Sequence, residues 1–584
     1  MECLGANLNN YYLTKKRMLS LLVATFFLLF VLFCRLFYIQ IVWGKGLKEK
    51  AYDQWTRDLP IQAKRGEIVD TNGNKIVESK TTFGVYVRRQ SVTDFEMVAR
   101  VLSEHLDLNY DNTYQKVTQK GVSEVTIKKN VAIDTVERLR TFELNGVYFA
   151  EETSRTYVYG DFLTQVLGYV SSDNYGQSGV EMYYDKYLRG IDGVIYTETD
   201  LVGKELDVGS TAYSPAVDGF NVVLTIDVTI QSIVENVLET IMYQHNPAST
   251  SCIVLDVTNG EVLAMSTKPS LDLNNLPRDD VATLVANSKN VMVTNVYEPG
   301  STFKVLTAAA CLEESRKGNP KAFSANYVFG NNSRIRMIDG SKISCWSTHA
   351  NGKHSNQTLS DALNNSCNPI FTDIALSLGK DVMYKYLEAF GYGSITGIDL
   401  LGEQAGILIS KGAVTNGDLA RIGFGQSIAV TALQLAVATA AAVNGGVVYQ
   451  PHLVKEIVDT NTGNVVKRYN ASVVNKAISE QTSKALATML QDVVTNGSGK
   501  QAYIEGYQVG GKTGTAQKFE NGSLAVGKYV SSFVGFFPAS YPKYLCLVIV
   551  DEPVGQNYGS IVAAPYAKMV FEQIINYKNI QPLD

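Results

Sequence analysis

The chain has 584 residues, 45% hydrophobic and 19% charged, with a formal net charge of −5. This is a globular composition, long enough for two or three domains. The mildly acidic balance argues against nucleic acid as a partner, and seven irregularly spaced Cys do not read as a disulfide framework.

In chain order, Lys15-Lys-Arg17 comes first, followed by an uncharged run from Met18 to Cys34. Arg35 interrupts, and Leu36–Trp43 is again mostly apolar. As a helix, this span of about 26 residues runs roughly 39 Å, enough to cross a bilayer with tilt. It lacks the short apolar core and small-residue site of a cleaved signal peptide, so it is expected to be an anchor. The basic cluster predicts a cytoplasmic tail at 1–17, a transmembrane segment at 18–43 and an extracellular remainder. Arg35 has two readings, snorkelling to the outer interface or a polar contact with a partner membrane protein.

Residues 44–215 form a first extracellular region. Arg65-Gly-Glu-Ile-Val-Asp70 followed by Thr71-Asn-Gly-Asn74 predicts strand, turn, strand. Residues 92–145 mix helical and strand patterns with many charges, as in a solvated α+β lobe. A structural role is expected for Arg65 and for Glu181 of Gly176-Gln-Ser-Gly-Val-Glu181, as a pair of buried charges. A second domain is placed at 216–584. Asn221–Asp227 alternates as a strand, and Thr229–Tyr243 has helical periodicity. Ser251–Asp256 and Val262–Ser266 flank Thr258-Asn-Gly260, a hairpin signal. Further strands are expected around Gly510–Thr515, Ser531–Phe537 and Tyr544–Val550. Strands at both ends with helices between them predict an antiparallel sheet layered with helices.

Three short strings carry chemistry: Ser301-Thr-Phe-Lys304, Ser366-Cys-Asn368 and Lys512-Thr-Gly514. Tyr297-Glu-Pro-Gly300 before Ser301 and an apolar run after Lys304 predict a turn feeding a buried helix. Residues i and i+3 share a helix face, so Lys304 lies beside Ser301. Ser377-Leu-Gly-Lys380 repeats the first pattern, but Gly379 would break such a helix. Ser172-Asp-Asn174, Ser288-Lys-Asn290 and Ser324-Ala-Asn326 repeat the second; only Lys-Thr-Gly occurs once. In that order the strings match the boxes of penicillin-recognising serine enzymes, which act through a serine ester.

Between the first two boxes lie Asp339, Cys345, His349 and His354, two of the chain's five His among them. Carboxylate, thiolate and imidazole are the usual zinc ligands, and four close a tetrahedral structural site. The alternative is that these side chains only pack and hydrogen-bond. The chemistry itself calls for no cofactor.

Nearly the whole chain resembles a class B penicillin-binding protein, a bacterial peptidoglycan D,D-transpeptidase. Glu298-Pro-Gly-Ser-Thr-Phe-Lys304, Asn365-Ser-Cys-Asn-Pro369 and Gly510-Gly-Lys-Thr-Gly-Thr-Ala516 resemble its three boxes. Gly423-Phe-Gly-Gln-Ser-Ile-Ala-Val-Thr431 resembles a further segment near its cleft, and the Arg65 and Glu181 strings resemble motifs of its N-terminal pedestal. The resemblance implies an α+β chain with one membrane anchor, a pedestal and a transpeptidase domain built on a five-stranded sheet. It implies Ser301 as nucleophile, Lys304 as base, and Ser366 as proton relay to the leaving D-alanine. Asn368 would hold the donor amide, Thr513 and Thr515 the terminal carboxylate, and Lys512 would add positive field. Gly514 would let the substrate backbone lie against the strand edge. The implied partners are stem peptides ending in D-Ala-D-Ala, β-lactams, the bacterial cell membrane and a polytopic membrane glycosyltransferase. Two rival readings share the boxes: a serine β-lactamase and a membrane β-lactam sensor. The single anchor and long pedestal are odd for the first, and only a short cytoplasmic segment is left for the second's output.

Overall fold

The computed structural model describes residues 2–48, 56–122, 124–198, 212–330, 333–346, 356–520 and 523–583. The chain divides into two compact units, one of residues 1–63 and 191–217, the other of 64–190 and 218–584.

In the first unit a helix, Glu2–Phe37, continues into a wider π turn at Tyr38–Val42. Its stretch from Tyr11 to Val42 is long and apolar enough to cross a membrane. The Arg35 guanidinium lies 5.9 Å from the Tyr38 ring and 5.8 Å from the Trp43 ring. Arg and aromatic side chains gather where a span meets the interface, which favours snorkelling for Arg35.

In the second unit the Arg65–Asn74 segment forms the expected strand, turn and strand. Ile68–Val69 pairs antiparallel with the long strand Lys75–Val87. Asp70 closes the turn by accepting the backbone N–H groups of Asn72 and Asn74. Arg65 and Glu181 do pair: Arg65 Nε donates to Glu181 Oε2 at 2.6 Å. Arg155 Nε donates to the other carboxylate oxygen at 2.6 Å. Glu181 is wholly buried between the two guanidinium groups.

Asn221–Leu224, on the far side of the boundary drawn at residue 216, joins this same sheet. It runs parallel to Ile68–Val69 and antiparallel to Val454–Val458. The sheet therefore crosses that boundary through backbone hydrogen bonds.

The larger part is built on five strands: β1 (Ser249–Asp256), β2 (Val262–Lys268), β3 (Gly510–Glu520), β4 (Ser523–Phe537) and β5 (Tyr544–Asp551). All neighbours are antiparallel, in the order β2-β1-β5-β4-β3, so β3 is an edge strand. The two faces follow the two-residue period of a strand. Cys252, Val254, Val548 and Phe533 pack with Ile230, Val234, Phe571 and Ile574 on one side. Ile253, Leu255, Leu547 and Val534 pack with the helices that carry the first two boxes on the other.

The helices packed around this sheet face are α1 (Lys304–Arg316), α2 (Leu359–Asn364), α3 (Asn368–Ala389), α4 (Ala432–Val443) and α5 (Glu480–Thr495). Helix α1 is buried from Lys304 to Glu314, so it is a rod through the core. Near its end, Glu313 accepts hydrogen bonds from the Ser479 N–H and the Ser479 and Thr482 hydroxyls. Burial alone would push this carboxyl up; those donors outweigh it and hold it at about 2. Helix α1 is thereby tied to the start of α5.

Candidate active site

Ser301 sits in a 3₁₀ turn, Gly300–Phe303, that leads directly into α1. The turn is held from behind. Gly300 N–H donates to the Gly425 carbonyl at 2.9 Å, and Glu298 Oε1 accepts from Ser427 N–H at 2.9 Å. These bonds fix the Gly423–Ser427 segment, whose Phe424 and Gln426 line a cleft of about 370 Å³ beside Ser301.

The i, i+3 relation holds: Lys304 Nζ lies 3.1 Å from Ser301 Oγ. The same Nζ donates to the Ser366 carbonyl at 2.8 Å and to Asn368 Oδ1 at 2.6 Å, and lies 3.1 Å from Ser366 Oγ. Ser366 follows α2 and its right-handed cap Asn365, and takes a positive φ of 52°. That conformation is uncommon outside Gly and marks a constrained position.

Lys304 is fully buried, and burial pushes its amine down to about 8. A neutral amine has two protons and one lone pair. The two protons match the Ser366 carbonyl and Asn368 Oδ1, leaving the lone pair for the Ser301 or Ser366 hydroxyl. The arrangement can thus take a proton from Ser301 and pass it to Ser366. Lys512 is also fully buried; burial and then the charge of Lys304 push its pKa well down. Burial is the dominant cause on both amines.

The third box lies on edge strand β3. The pleat turns Thr513 and Thr515 to one face and Lys512 and Gly514 to the other. Thr513 Oγ1 donates to Ser498 Oγ at 3.3 Å, and Thr515 Oγ1 accepts from Gly559 N–H at 3.0 Å. A Cβ on Gly514 would lie 2.6 Å from Ser532 Oγ and 3.1 Å from the Pro299 carbonyl oxygen. Gly514 is therefore needed where β3 packs on the Ser301 turn, and it also lines the cleft.

The decoy fails as expected. Gly379 interrupts α3 with φ 79°, and the Ser377 hydroxyl donates to the Lys321 carbonyl instead of facing Lys380. Sequence reading did not single out Ser498, Gln517, Tyr529, Tyr558 or Ser560, all of which line the cleft. Trp346 stands across from Tyr558 with ring centroids 6.3 Å apart. Its Nε1 donates to the Asn365 carbonyl at 3.1 Å.

The four proposed zinc ligands do not come together as written. Asp339 occupies the tip of the Ile335–Ser344 hairpin, whereas Cys345 follows its far end and donates its N–H to the Arg334 carbonyl. Four residues of strand separate them, roughly 14 Å at 3.4 Å per residue, so they do not share an ion. His349 and His354 lie outside the described residues. Among the described residues, no three His, Cys, Asp or Glu side chains converge as a metal would require. The Cys345 thiol instead hydrogen-bonds Cys367, which raises the Cys367 pKa. Cys367, the middle of the second box, is buried beneath the cleft and leaves its lining to Ser366 and Asn368.

A serine hydroxyl sharing a buried amine with a second serine, beside a threonine-lined strand edge, defines a serine acyltransferase of the penicillin-recognising kind. Comparison with known proteins agrees. The family model of the penicillin-binding protein transpeptidase domain matches residues 250–575, and that of the penicillin-binding protein dimerisation domain matches 60–224. The chain is 36% identical over 571 residues to stage V sporulation protein D of Bacillus subtilis, covering 97% of this chain and 86% of that one. It is 26% identical to the peptidoglycan D,D-transpeptidase FtsI of Escherichia coli K12, covering 94% and 89%. Among solved structures, penicillin-binding protein 2X of Streptococcus thermophilus superposes with a TM-score of 0.74 at 25% identity, covering 90% of this chain and 80% of that one. The chain belongs to the class B penicillin-binding proteins. It is a peptidoglycan D,D-transpeptidase with an N-terminal apolar helix, and it binds β-lactams.

Proposed function

We propose that this transpeptidase works through Ser301, with Lys304 as its base. Ser301 Oγ attacks the carbonyl carbon of the D-Ala–D-Ala bond while its proton moves to Lys304 Nζ. Ser366 gives its own proton to the departing D-alanine nitrogen and is reprotonated from Lys304. The C–N bond breaks, leaving an ester on Ser301. An acceptor amine from a second stem peptide then attacks that ester, and the protons run back along the same route. Asn368 holds the donor amide, and Thr513 and Thr515 take the terminal carboxylate in the field of Lys512. The observation that carries this reading is Lys304 Nζ at 3.1 Å from both hydroxyls, Ser301 and Ser366.

We further propose that the N-terminus is cytoplasmic and the catalytic part extracellular, with the pedestal at 44–215 and the transpeptidase domain at 216–584. Lys15-Lys-Arg17 ahead of the apolar span supports the orientation. The single anchor and the family resemblance support a polytopic membrane glycosyltransferase as partner. Identity to the Bacillus subtilis protein named for stage V sporulation is higher than to the Escherichia coli enzyme. That supports a role in sporulation.

The test is cross-linking of un-cross-linked peptidoglycan strands by the full-length protein in lipid vesicles. Peptide dimers should form with release of one D-alanine each, and Ser301→Ala should form none. D-alanine release without dimers would show that water is the acceptor.

A further inference from the structure

The Thr515 hydroxyl has one proton and two lone pairs. One lone pair accepts the Gly559 N–H at 3.0 Å. Among the described residues the hydroxyl donates to no protein acceptor, which leaves its proton for an acceptor in the cleft that Thr515 lines. Thr513 differs, because its proton is directed at Ser498. Thr515 is thus the hydroxyl held ready to donate.

Gly559 is placed for this by contacts that tolerate no side chain. A Cβ there would lie 2.3 Å from the Gly514 carbonyl oxygen and 2.4 Å from that of Ser532. Its backbone lies directly on β3 and β4. Two residues earlier, the Asn557 carbonyl accepts from Ser531 Oγ at 2.5 Å. The Asn557–Gly559 turn is therefore fastened to β4 by one bond and to β3 by the other. The reaction steps above use neither bond.

We propose that Gly559 is a positioning residue for the carboxylate cradle. Its N–H fixes the Thr515 hydroxyl as a donor to the terminal carboxylate of the donor peptide. This rests on the reading of Thr513 and Thr515 as that cradle.

The experiment uses the full-length protein in detergent micelles and two D-alanyl thioesters as acyl donors. One ends in a free carboxylate and the other in its methyl ester. A thioester is activated enough to acylate without help from the carboxylate, so both rates are readable. A hydrogen bond to an ionised acceptor is stronger than one to a neutral acceptor. Gly559→Ala pushes the turn off β3 and should slow both donors, the carboxylate donor by about 10- to 100-fold more than the ester. Thr515→Val should lose the same selectivity, Thr515→Ser should retain the wild-type ratio, and the Gly559→Ala, Thr515→Val double variant should change the ratio no further than Thr515→Val. Replacing Gly559 by glycolic acid through semisynthesis removes the N–H and adds no bulk, so the test survives a misfolded alanine variant. The glycolate variant should show the same selective loss. Equal losses on both donors, or no loss, in that variant would overturn the proposal. Persistent acylation by both donors in Ser301→Ala would instead overturn the underlying assignment of the site.

Discussion

Lys304→Ala lowers acylation by a β-lactam by about 100- to 10,000-fold, the usual worth of a positioned general base. The loss follows from the Lys304 amine lying within hydrogen-bond reach of the Ser301 hydroxyl, at 3.1 Å. The variant still folds, because alanine removes a buried amine and suits a helix start within an apolar core. The pH dependence gives a second readout. Burial brings the Lys304 amine down to about 8, and only its neutral form accepts a proton. The wild-type rate therefore climbs as pH rises through about 8 and levels above it, while the residual rate of the variant is flat across that range. Stopped-flow acylation from pH 6 to 10 measures both. Near wild-type acylation by Lys304→Ala would show that another group is the base.

Glu181→Ala costs stability on the scale of a broken buried ion pair, about 3–5 kcal/mol. Glu181 is wholly buried and accepts Arg65 Nε and Arg155 Nε on separate oxygens, each at 2.6 Å. Removing it leaves two buried guanidinium groups, with Asp185 still serving Arg65 through Nη1. Denaturant unfolding of the second unit should show a lower midpoint, with the chemistry at Ser301 intact in the remaining folded protein. A loss no greater than about 1 kcal/mol, the worth of a surface pair, would mean that water reaches this cluster.

What was legible in the sequence is local. The i, i+3 spacing of Ser301 and Lys304 needs one helical turn, and the glycine that disqualifies Ser377 acts within two residues. The strands of the catalytic sheet announced themselves by apolar runs and by the Thr258-Asn-Gly260 turn. What was not legible is set by partners distant in the chain. Asn221–Leu224 alternates like any strand, and nothing in it specifies Ile68–Val69 and Val454–Val458 as its neighbours. Ser498 and Tyr558 carry no pattern of their own and reach the cleft only because α5 and the turn before Gly559 pack against β3. The packing need for glycine at 514 comes from Ser532 and Pro299, which its own box does not specify. Asp339 and Cys345 are close in sequence, and the strand between them holds them apart.

The most direct measurement is the mass of the peptide that a labelled penicillin modifies. Full-length protein is treated with the label, denatured, digested and mapped by mass spectrometry. The account predicts one modified serine, Ser301, and no label in Ser301→Ala. Label on Ser377, or label persisting in Ser301→Ala, would contradict it.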